Sequence, residues 1–365
     1  IMKHNWGYKP FAEICITLTP TSKIGKSEYL SHGQYPIISQ EDIYISGYWN
    51  DKKDITLHSS PVIIFGDHSR VLKYVDFEFV VGADGVKIIQ PIGLLDAKFL
   101  YHFLRWYNVP SLGYSRHFKL LKEANYPVPP MEIQKQIVEE FDQINDLIAK
   151  NRELLSELDA LAQSLFYDTF GDPISNPKRW DVSKIQDLGK VITGSTPSTK
   201  IEEYYNSPDI CFVKPGDIGD TITYISRTKD WITNLAFESC CRKLPIGTVV
   251  ITCIGIIGKV GILKVEANCN QQINAIIPAK AINNLYLAFT LKEFAVIFTA
   301  AATGPVVKIL NKSTFSNFSI PVPPLALQED FASKVEAIEA QKSKVEAEIA
   351  ELQTLLDARM DYWFN

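Results

Sequence analysis

The sequence lacks the cysteine and histidine spacings that hold metal ions. Its six cysteines form no C-x-x-C pair, and all six histidines lie in the first third of the chain, away from five of those cysteines. A structural zinc site normally draws its ligands from short paired spacings of that kind. The pattern therefore argues against a bound metal and indicates reduced thiols in a cytoplasmic protein.

A long uninterrupted apolar run is missing as well. The most apolar stretch, residues 246–263, contains several glycines and Lys259, and its β-branched residues favour two buried strands joined by a turn. The first ten residues lack the apolar core of a signal peptide. Because 46% of the 365 residues are apolar, we expect a globular protein with room for two domains and no membrane partner.

Catalytic motifs are incomplete. The "IGKS" at 24–27 has Pro20 where a phosphate-binding loop needs glycine, and the "GIIGK" at 255–259 has Cys253 there. No G-x-S-x-G nucleophile motif is present, and no glycine-rich strand–turn–helix suits S-adenosylmethionine or ATP. These absences favour a binding protein over an enzyme, with no catalytic residue and no cofactor of its own.

What the sequence does contain is a long repeat. Residues 127–170 align without a gap with residues 321–364, and both segments begin with Pro-Val-Pro-Pro followed by a glutamine, Gln134 or Gln328. The prolines end a strand and pre-set the chain for a first helical turn. Strand-like segments upstream correspond more weakly, 61–67 and 85–91 with 247–253 and 273–278. The sequence thus predicts a duplicated mixed α+β domain, each copy followed by a helix.

The repeated segments carry apolar residues at alternating steps of four and three for more than four heptads, which is typical of a coiled coil. Asn151 and Lys342 interrupt the two stripes, as polar residues that fix register do. A helix of about 38 residues would be about 57 Å long. The alternative is that each helix packs on its own domain alone. The predicted seam consists of Ile137, Phe141, Ile144, Ile148, Leu155 and Leu158 with Phe331, Val335, Ile338, Val345, Ile349 and Leu352.

Charge is distributed unevenly along the chain, whose net charge is −5. Residues 1–126 carry +2 and residues 171–320 carry +4, whereas residues 127–170 carry −6 and residues 321–365 carry −5. We take these four ranges as two domains and two helical spacers. Mildly basic domains are suited to phosphate contact, and the acidic helices to a basic protein or to water.

An ordered set of motifs in the second domain resembles the target recognition domain of the specificity subunit of type I restriction–modification systems. It comprises Trp180, "GSTPS" at 194–198, "GTVV" at 247–250, "CNQQI" at 269–273 and "PVPPL" at 321–325. The first domain departs from this pattern, because it lacks the Gly-x-Thr-Pro loop. Its assignment depends on its position, on "YPIISQEDI" at 35–43 and on the helix that follows it.

The resemblance implies an α+β fold with two target recognition domains of twisted sheets, separated by two long helices in an antiparallel coiled coil with pseudo-two-fold symmetry. Family members read a split site in double-stranded DNA, one domain for each half, and are not catalytic. Their partner is a DNA methyltransferase subunit, usually in two copies, that uses S-adenosylmethionine to methylate adenine N6. In some complexes a restriction subunit that uses ATP and Mg²⁺ also joins.

Candidate DNA contacts are polar and basic side chains in loops. In the second domain they are Ser195, Thr196, Ser198, Thr199, Lys200, Lys214, Lys259, Asn270, Gln271 and Lys308. The amides at 270–272 suit adenine edges, although they fit the cap of a buried turn equally well. In the first domain the candidates are Lys52, Lys53, His68, Arg70, Lys73, Arg116 and His117, with Tyr48 and Trp49 as stacking residues or as core aromatics.

Two other functions remain open at this point. One is the specificity subunit of a related system whose partner carries nuclease and methylase on a single chain. The other is a coiled-coil adaptor whose domains bind protein or sugar. A DNA affinity that falls steeply with salt would separate the adaptor from a DNA-reading subunit.

Overall fold

The structure is a computed structural model, and it describes residues 6–59, 61–113 and 115–365. These residues divide into two compact units. The first unit contains the described residues up to Arg152 together with Glu346–Asn365, and the second unit contains Glu153–Val345.

The first part of the chain forms ten strands and four helices in its described residues. The strands are β1 (Gly7–Pro10), β2 (Cys15–Leu18), β3 (Lys23–Ile24), β4 (Tyr35–Ile38), β5 (Gly47–Trp49), β6 (Val62–Gly66), β7 (Leu72–Val75), β8 (Val80–Gly82), β9 (Val86–Pro91) and β10 (Asn125–Val128). The helices are α1 (Phe11–Ile14), α2 (Ala97–Tyr107), α3 (Phe118–Glu123) and α4 (Met131–Phe170).

The second part of the chain has a similar order of elements, with two further helices in its described residues. The strands are β11 (Val182–Lys184), β12 (Gly189–Thr193), β13 (Ile210–Val213), β14 (Thr223–Ile225), β15 (Asp230–Ile232), β16 (Val249–Thr252), β17 (Val260–Leu263), β18 (Ala267–Cys269), β19 (Ile273–Pro278) and β20 (Ser319–Pro321). The helices are α5 (Ile185–Leu188), α6 (Asn234–Ser239), α7 (Asn284–Glu293), α8 (Ala295–Ala301), α9 (Lys312–Ser316) and α10 (Leu325–Phe364).

The two units share one sheet plan. The first has an antiparallel sheet in the order β2-β9-β6-β7, and the second has β12-β19-β16-β17 extended by β14. A smaller sheet, made of shorter strands and mixed in strand direction, accompanies each of them. Its order is β3-β8-β4-β5 in the first unit and β15-β13-β18 in the second. Strand β8 runs parallel to β4, and β18 runs parallel to β13. This shared plan confirms the predicted duplication of a mixed α/β domain.

Strands β6 and β16 lie at the centre of their units and are buried along their whole length. In β6, Ile63 and Phe65 pack towards helix α2, while Val62 and Ile64 pack towards the smaller sheet. In β16 the same alternation places Ile251 beside helix α7. A strand covered on both faces has no polar positions to alternate with apolar ones, which accounts for the continuous apolar runs in the sequence.

The repeated glutamine fixes the start of each long helix. The Gln134 side chain is fully buried, donates to the carbonyls of Leu94 and Pro129, and accepts a hydrogen bond from the Asp96 amide at 2.8 Å. Gln328 is bound in the same way, because it donates to a proline carbonyl and accepts from the Asn283 amide at 2.9 Å. A buried amide with all its partners met holds two segments together strongly. The glutamine therefore ties each long helix to the loop that caps α2 or α7.

In the first unit, the start of α4 packs against the end of α10. The Arg359 guanidinium forms a two-pronged pair with Glu140, with Nη2 3.0 Å from Oε2, and lowers the pKa of the Glu140 carboxyl. Further along, Asn151 Nδ2 donates to Glu348 Oε2 at 3.4 Å. Because residue numbers fall along α10 as they rise along α4, the helices are antiparallel.

In the second unit, the end of α4 packs against the start of α10. The ring centres of Phe170 and Phe331 are 5.2 Å apart, and Lys342 Nζ lies 2.7 Å from Asp159 Oδ1. Burial disfavours the charge of Lys342, but Asp159 and Glu339 outweigh it and raise the pKa of the ammonium. Lys342, which interrupts the predicted apolar stripe, therefore keeps its positive charge inside the helix pair, where the carboxylates of Asp159 and Glu339 balance it. The contacts again run antiparallel.

Every predicted seam residue is removed from solvent to some degree. Ile137, Phe141, Ile144, Ile148, Phe331, Val335 and Val345 are buried, and Leu155, Leu158, Ile338, Ile349 and Leu352 are half-buried. Ile137 and Phe141 also belong to the core that contains the side chains of α2. The two packing alternatives therefore hold together, because the same part of α4 contacts both α10 and the core of its own domain.

Among the described residues, no single helix is both long enough and apolar enough to cross a membrane. One bent pair, α7 with α8, passes that test by length and composition together. Most residues of α7 are buried inside the second unit.

Candidate nucleic-acid interface

Three loops of the second unit meet at one edge of its sheets. They follow the carboxyl ends of β13, β16 and β18, and together with Lys229 and Asp230 at the start of β15 they line an open groove of about 540 Å³. Its basic and amide side chains are Lys214, Lys229, Lys259 and Gln272. We call this feature the lysine groove. It brings together two predicted residues, Lys214 and Lys259, that are 45 positions apart in the sequence.

Two ammonium groups of the lysine groove are held by carboxylates that solvent also reaches. Lys214 Nζ lies 3.0 Å from Asp230 Oδ2, and Lys259 Nζ lies 3.0 Å from Asp220 Oδ1. The Lys259 hydrogen bond lowers the pKa of the Asp220 carboxyl. Ion pairs this exposed contribute little stability. An anion that offers these lysines hydrogen-bond acceptors can therefore replace either aspartate at small cost.

Asp217 shapes the loop after β13. One of its oxygens accepts the Lys214 amide at 2.8 Å, and the other accepts the Lys229 amide at 3.0 Å. The carboxylate thereby joins two chain segments that each carry a groove lysine. Lys229 is not among the predicted contacts, because nothing in its local sequence distinguishes it from other exposed lysines.

The amide run at 270–272 forms a turn, and only part of it faces solvent. Asn270 is buried, its Nδ2 donates to Gln272 Oε1 at 2.9 Å, and its Oδ1 accepts the Gln272 amide. Asn270 is therefore corrected from a base contact to a turn cap. Gln271 is exposed and accepts a hydrogen bond from Thr196 Oγ1 at 2.6 Å, so these two predicted residues do meet.

The remaining candidates of the second domain lie in neighbouring loops. The Ser195 amide donates to the Cys269 carbonyl at 2.8 Å, and its hydroxyl is buried with no hydrogen-bond partner among the described residues. Ser198, Thr199 and Lys200 follow on an exposed loop. Lys308 is exposed, and its carbonyl accepts the Gly255 amide at 3.0 Å.

The corresponding edge of the first unit is formed by the ends of β4, β6 and β8. Gln40 joins these loops, because it donates to the Asp84 carbonyl at 3.0 Å and accepts from the Ser69 hydroxyl and the His68 amide. The Asp84 carboxylate lies 2.9 Å from Lys23 Nζ, and Lys23, with a smaller contribution from Arg116, lowers its pKa. The predicted His68 and Arg116 thus lie at this edge. Lys23, which is not among the predicted contacts, lies beside them.

Four candidates of the first domain have side chains that form hydrogen bonds inside the unit. Lys73 is buried, its ammonium donates to the carbonyls of Ser39, Ile43 and Tyr44, and burial lowers its pKa. Arg70 donates to the Val109 carbonyl, His117 is buried against Asp67, and Trp49 donates to the Asp54 carboxylate. Lys73 and His117 are corrections, because both side chains are buried against internal partners. Arg70 is half-buried with one guanidinium hydrogen bond and stays a prediction, and Trp49 takes the core-aromatic alternative that the sequence left open.

The other first-domain candidates remain predictions. Lys52 and Lys53 are exposed on a short turn after β5, where Lys53 pairs with Asp51 at 2.7 Å. Tyr48 is half-buried in β5. No group of three metal-binding side chains is present in the described part of the chain; of the six histidines, His4 lies outside that part.

Comparison with known proteins assigns a family. The family model described as type I restriction modification DNA specificity domain matches this chain twice, over residues 3–160 and 177–354. The EcoR124I/EcoR124II specificity subunit of Escherichia coli is 27% identical over 347 residues, which cover 88% of this chain and 83% of that protein. The MjaIX specificity subunit of Methanocaldococcus jannaschii is 37% identical over 164 residues, which cover 43% of this chain and 37% of that protein.

Solved structures share the fold. The type I restriction–modification S subunit from M. genitalium superposes with a TM-score of 0.61 at 13% identity, covering 100% of this chain and 98% of that one. A chain from a study of complex assembly and conformational transition of a type I restriction–modification system has a TM-score of 0.58 at 17% identity, covering 99% and 97%. With the two family matches, which span most of the sequence, the chain belongs to the type I restriction–modification DNA specificity family and is a non-catalytic specificity subunit.

Proposed function

We propose that this subunit reads a two-part DNA site, with one recognition domain for each half. The domains are residues 1–126 and 171–320, and residues 127–170 and 321–365 are the spacer helices. The observation that carries the proposal is that equivalent strand ends in both units present polar loops with basic side chains beside them. In the second unit these side chains form the lysine groove, and in the first unit Lys23, His68 and Arg116 lie near Gln40 among several carboxylates. Direct base reading needs such polar side chains, and binding to phosphates needs the lysines.

The proposal includes partners that supply the chemistry. A DNA methyltransferase subunit, in two copies, would carry S-adenosylmethionine and methylate adenine N6. A restriction subunit, where one exists, would carry ATP and Mg²⁺. Methylation requires that the adenine leave the base stack, and residues that hold the duplex on either side would support that distortion.

The test is reconstitution. The purified chain, mixed with the methyltransferase encoded beside it and S-adenosylmethionine, should methylate adenines within one two-part sequence, and the chain alone should methylate none. Its DNA affinity should fall steeply with salt. Random methylation together with a salt-independent DNA affinity would favour the adaptor function instead. A partner that also cuts DNA on the same chain would identify the related two-protein system.

We also propose a docking surface for the methyltransferase in the first unit. Leu147 and Leu355 are exposed on α4 and α10, where an open groove of about 490 Å³ is bordered by Glu348 and Glu351. Exposed leucines that share a groove indicate a protein contact. The acidic rim favours a basic partner surface.

The variant Leu147→Asp/Leu355→Asp should weaken binding of the methyltransferase more than about tenfold, because an unpaired carboxylate is costly in an apolar interface. Titration calorimetry measures this affinity. Leu57→Asp, at another exposed leucine of the same unit, is the matched control and should bind normally. Equal losses in both variants would contradict the assignment.

A further inference from the structure

An apolar tip projects beside the lysine groove. It consists of Ile256, Val306, Val307 and Ile309, all exposed aliphatic side chains from two loops of the second unit. Ile256 is 67% exposed and Val306 is 93% exposed. Single exposed aliphatic residues are ordinary, but a cluster on adjoining loops marks an interaction site.

Hydrogen bonds join the two loops of the apolar tip. The Gly255 amide donates to the Lys308 carbonyl at 3.0 Å, and the Leu310 amide donates to the Cys253 carbonyl at 2.8 Å. Within the second loop, the Ile309 amide donates to the Thr303 carbonyl at 2.7 Å. Side chains presented by such a framework lose little freedom on binding.

A glycine seats the first loop against helix α8. Gly258 has φ +93°, and a Cβ at this position would lie 2.3 Å from the Ala295 Cβ. Only glycine combines that backbone conformation with so close an approach. Gly255, with φ +77°, turns the chain so that Ile256 faces outward between two buried strands. The exposure of Ile256 is therefore built into the fold.

Charge around the apolar tip favours DNA over a protein partner. Ile256 itself lines the lysine groove, together with Lys214, Lys229 and Lys259, and Lys308 adds an exposed ammonium on the tip. These four lysines supply the positive charge that DNA phosphates require. The two carboxylates that line the same groove are already bonded, Asp230 to the Lys214 ammonium and Asp217 to the Lys214 and Lys229 amides. Within the major groove, the apolar feature of the base edges is the thymine methyl group.

We propose that Ile256 and Val306 contact thymine methyl groups in the half-site bound by the second recognition domain. This inference rests on the proposed function. Because the methylated base is an adenine, its half-site contains at least one A·T pair and so at least one thymine methyl. The lysine groove holds the neighbouring phosphates, and the apolar tip distinguishes thymine from bases without the methyl.

The test uses the complex with its methyltransferase and duplexes in which each thymine of the mapped site is replaced in turn by deoxyuridine, which lacks only the methyl. For the unaltered complex, one replacement should weaken binding about fourfold, the value expected for one buried methyl. The variant Ile256→Ser/Val306→Ser, which leaves no methyl group on either side chain, should bind the thymine duplex about as weakly and should not respond to that replacement.

Ile246→Ser is the matched control, since Ile246 is 65% exposed and precedes β16, whereas Ile256 follows its far end. This control should keep full sensitivity to deoxyuridine. The inference is overturned if no thymine shows a response that depends on Ile256 and Val306. It is also overturned if the double variant loses methyltransferase binding while its DNA affinity stays unchanged, which would identify a protein contact. Failure of the proposed function looks different, because the unaltered complex would then show no site-specific DNA binding.

Discussion

Phe364→Ala should lower the free energy of unfolding of the first unit by about 3–5 kcal/mol, the range for removing a buried phenylalanine. The Phe364 ring is buried near the end of α10, with ring centres 5.7 Å from Phe99, 5.5 Å from Phe103 and 5.9 Å from Phe141. No local rearrangement can fill the space, because these neighbours are themselves held by the sheet and by α4. Chemical denaturation measures the loss, and hydrogen exchange along α2 assigns it to this unit.

Leu355→Ala is the control for that experiment, since Leu355 lies on the same helix with half of its side chain in solvent. Its cost should stay below about 1 kcal/mol. The Phe331→Ala variant should lower the stability of the second unit in the same way, because Phe331 is buried against Phe166, Phe170 and Phe289. If Phe364→Ala cost no more than Leu355→Ala, the helix pairing in the first unit would be wrong.

The triple variant Lys214→Gln/Lys229→Gln/Lys259→Gln should weaken specific DNA binding on the order of 100-fold, taking roughly 1 kcal/mol for each lost phosphate contact. Each contact also releases a counterion, so the slope of log affinity against log salt should become shallower by about 0.9 for each lysine lost. Fluorescence anisotropy of labelled duplex at several salt concentrations measures both quantities.

Three other lysines provide a control of equal charge. Lys190 is near the start of β12, Lys264 follows β17 and Lys280 follows β19. The antiparallel registers place these positions at the opposite edge of the sheet from the lysine groove. Their replacement by glutamine should leave the affinity within about threefold of the unaltered complex, because distant exposed charges are screened by salt. Equal losses of DNA affinity in both triple variants would mean that only the net charge of the protein matters. The assignment of the lysine groove as a DNA-binding surface would then be wrong.

The repeat was the strongest signal in the sequence, and the structure gives its physical reason. In both copies the buried glutamine bonds a proline carbonyl and the amide of the residue that caps α2 or α7. These hydrogen bonds fix where each long helix begins. The heptad stripe predicted the helix pair, since apolar spacing is a local property that a sequence displays directly. It did not predict that Phe364 would complete a domain core, because that depends on neighbours such as Phe99 that are far away in sequence.

The candidate site was only partly predictable from residue types. In the sequence, Lys73 cannot be distinguished from a lysine in an exposed loop. It is buried because its ammonium bonds carbonyls within residues 39–44, which come near it only in the folded chain. Lys229 reads the same way, yet it borders the lysine groove. Ile256 lies in the most apolar stretch, where burial was the natural expectation. Its exposure follows from the left-handed backbone at Gly255, which composition does not reveal.

The packing of α10 into the first unit has a consequence for how the chain is made. Leu356, Met360 and Phe364 complete a core whose other members precede residue 149. The ribosome adds these three only after it has built the whole second recognition domain. Until then the nascent first domain displays the apolar face of α4, including Phe141, to chaperones and proteases. We expect a translation product that stops early to keep that face uncovered and therefore to become a substrate of cellular quality control.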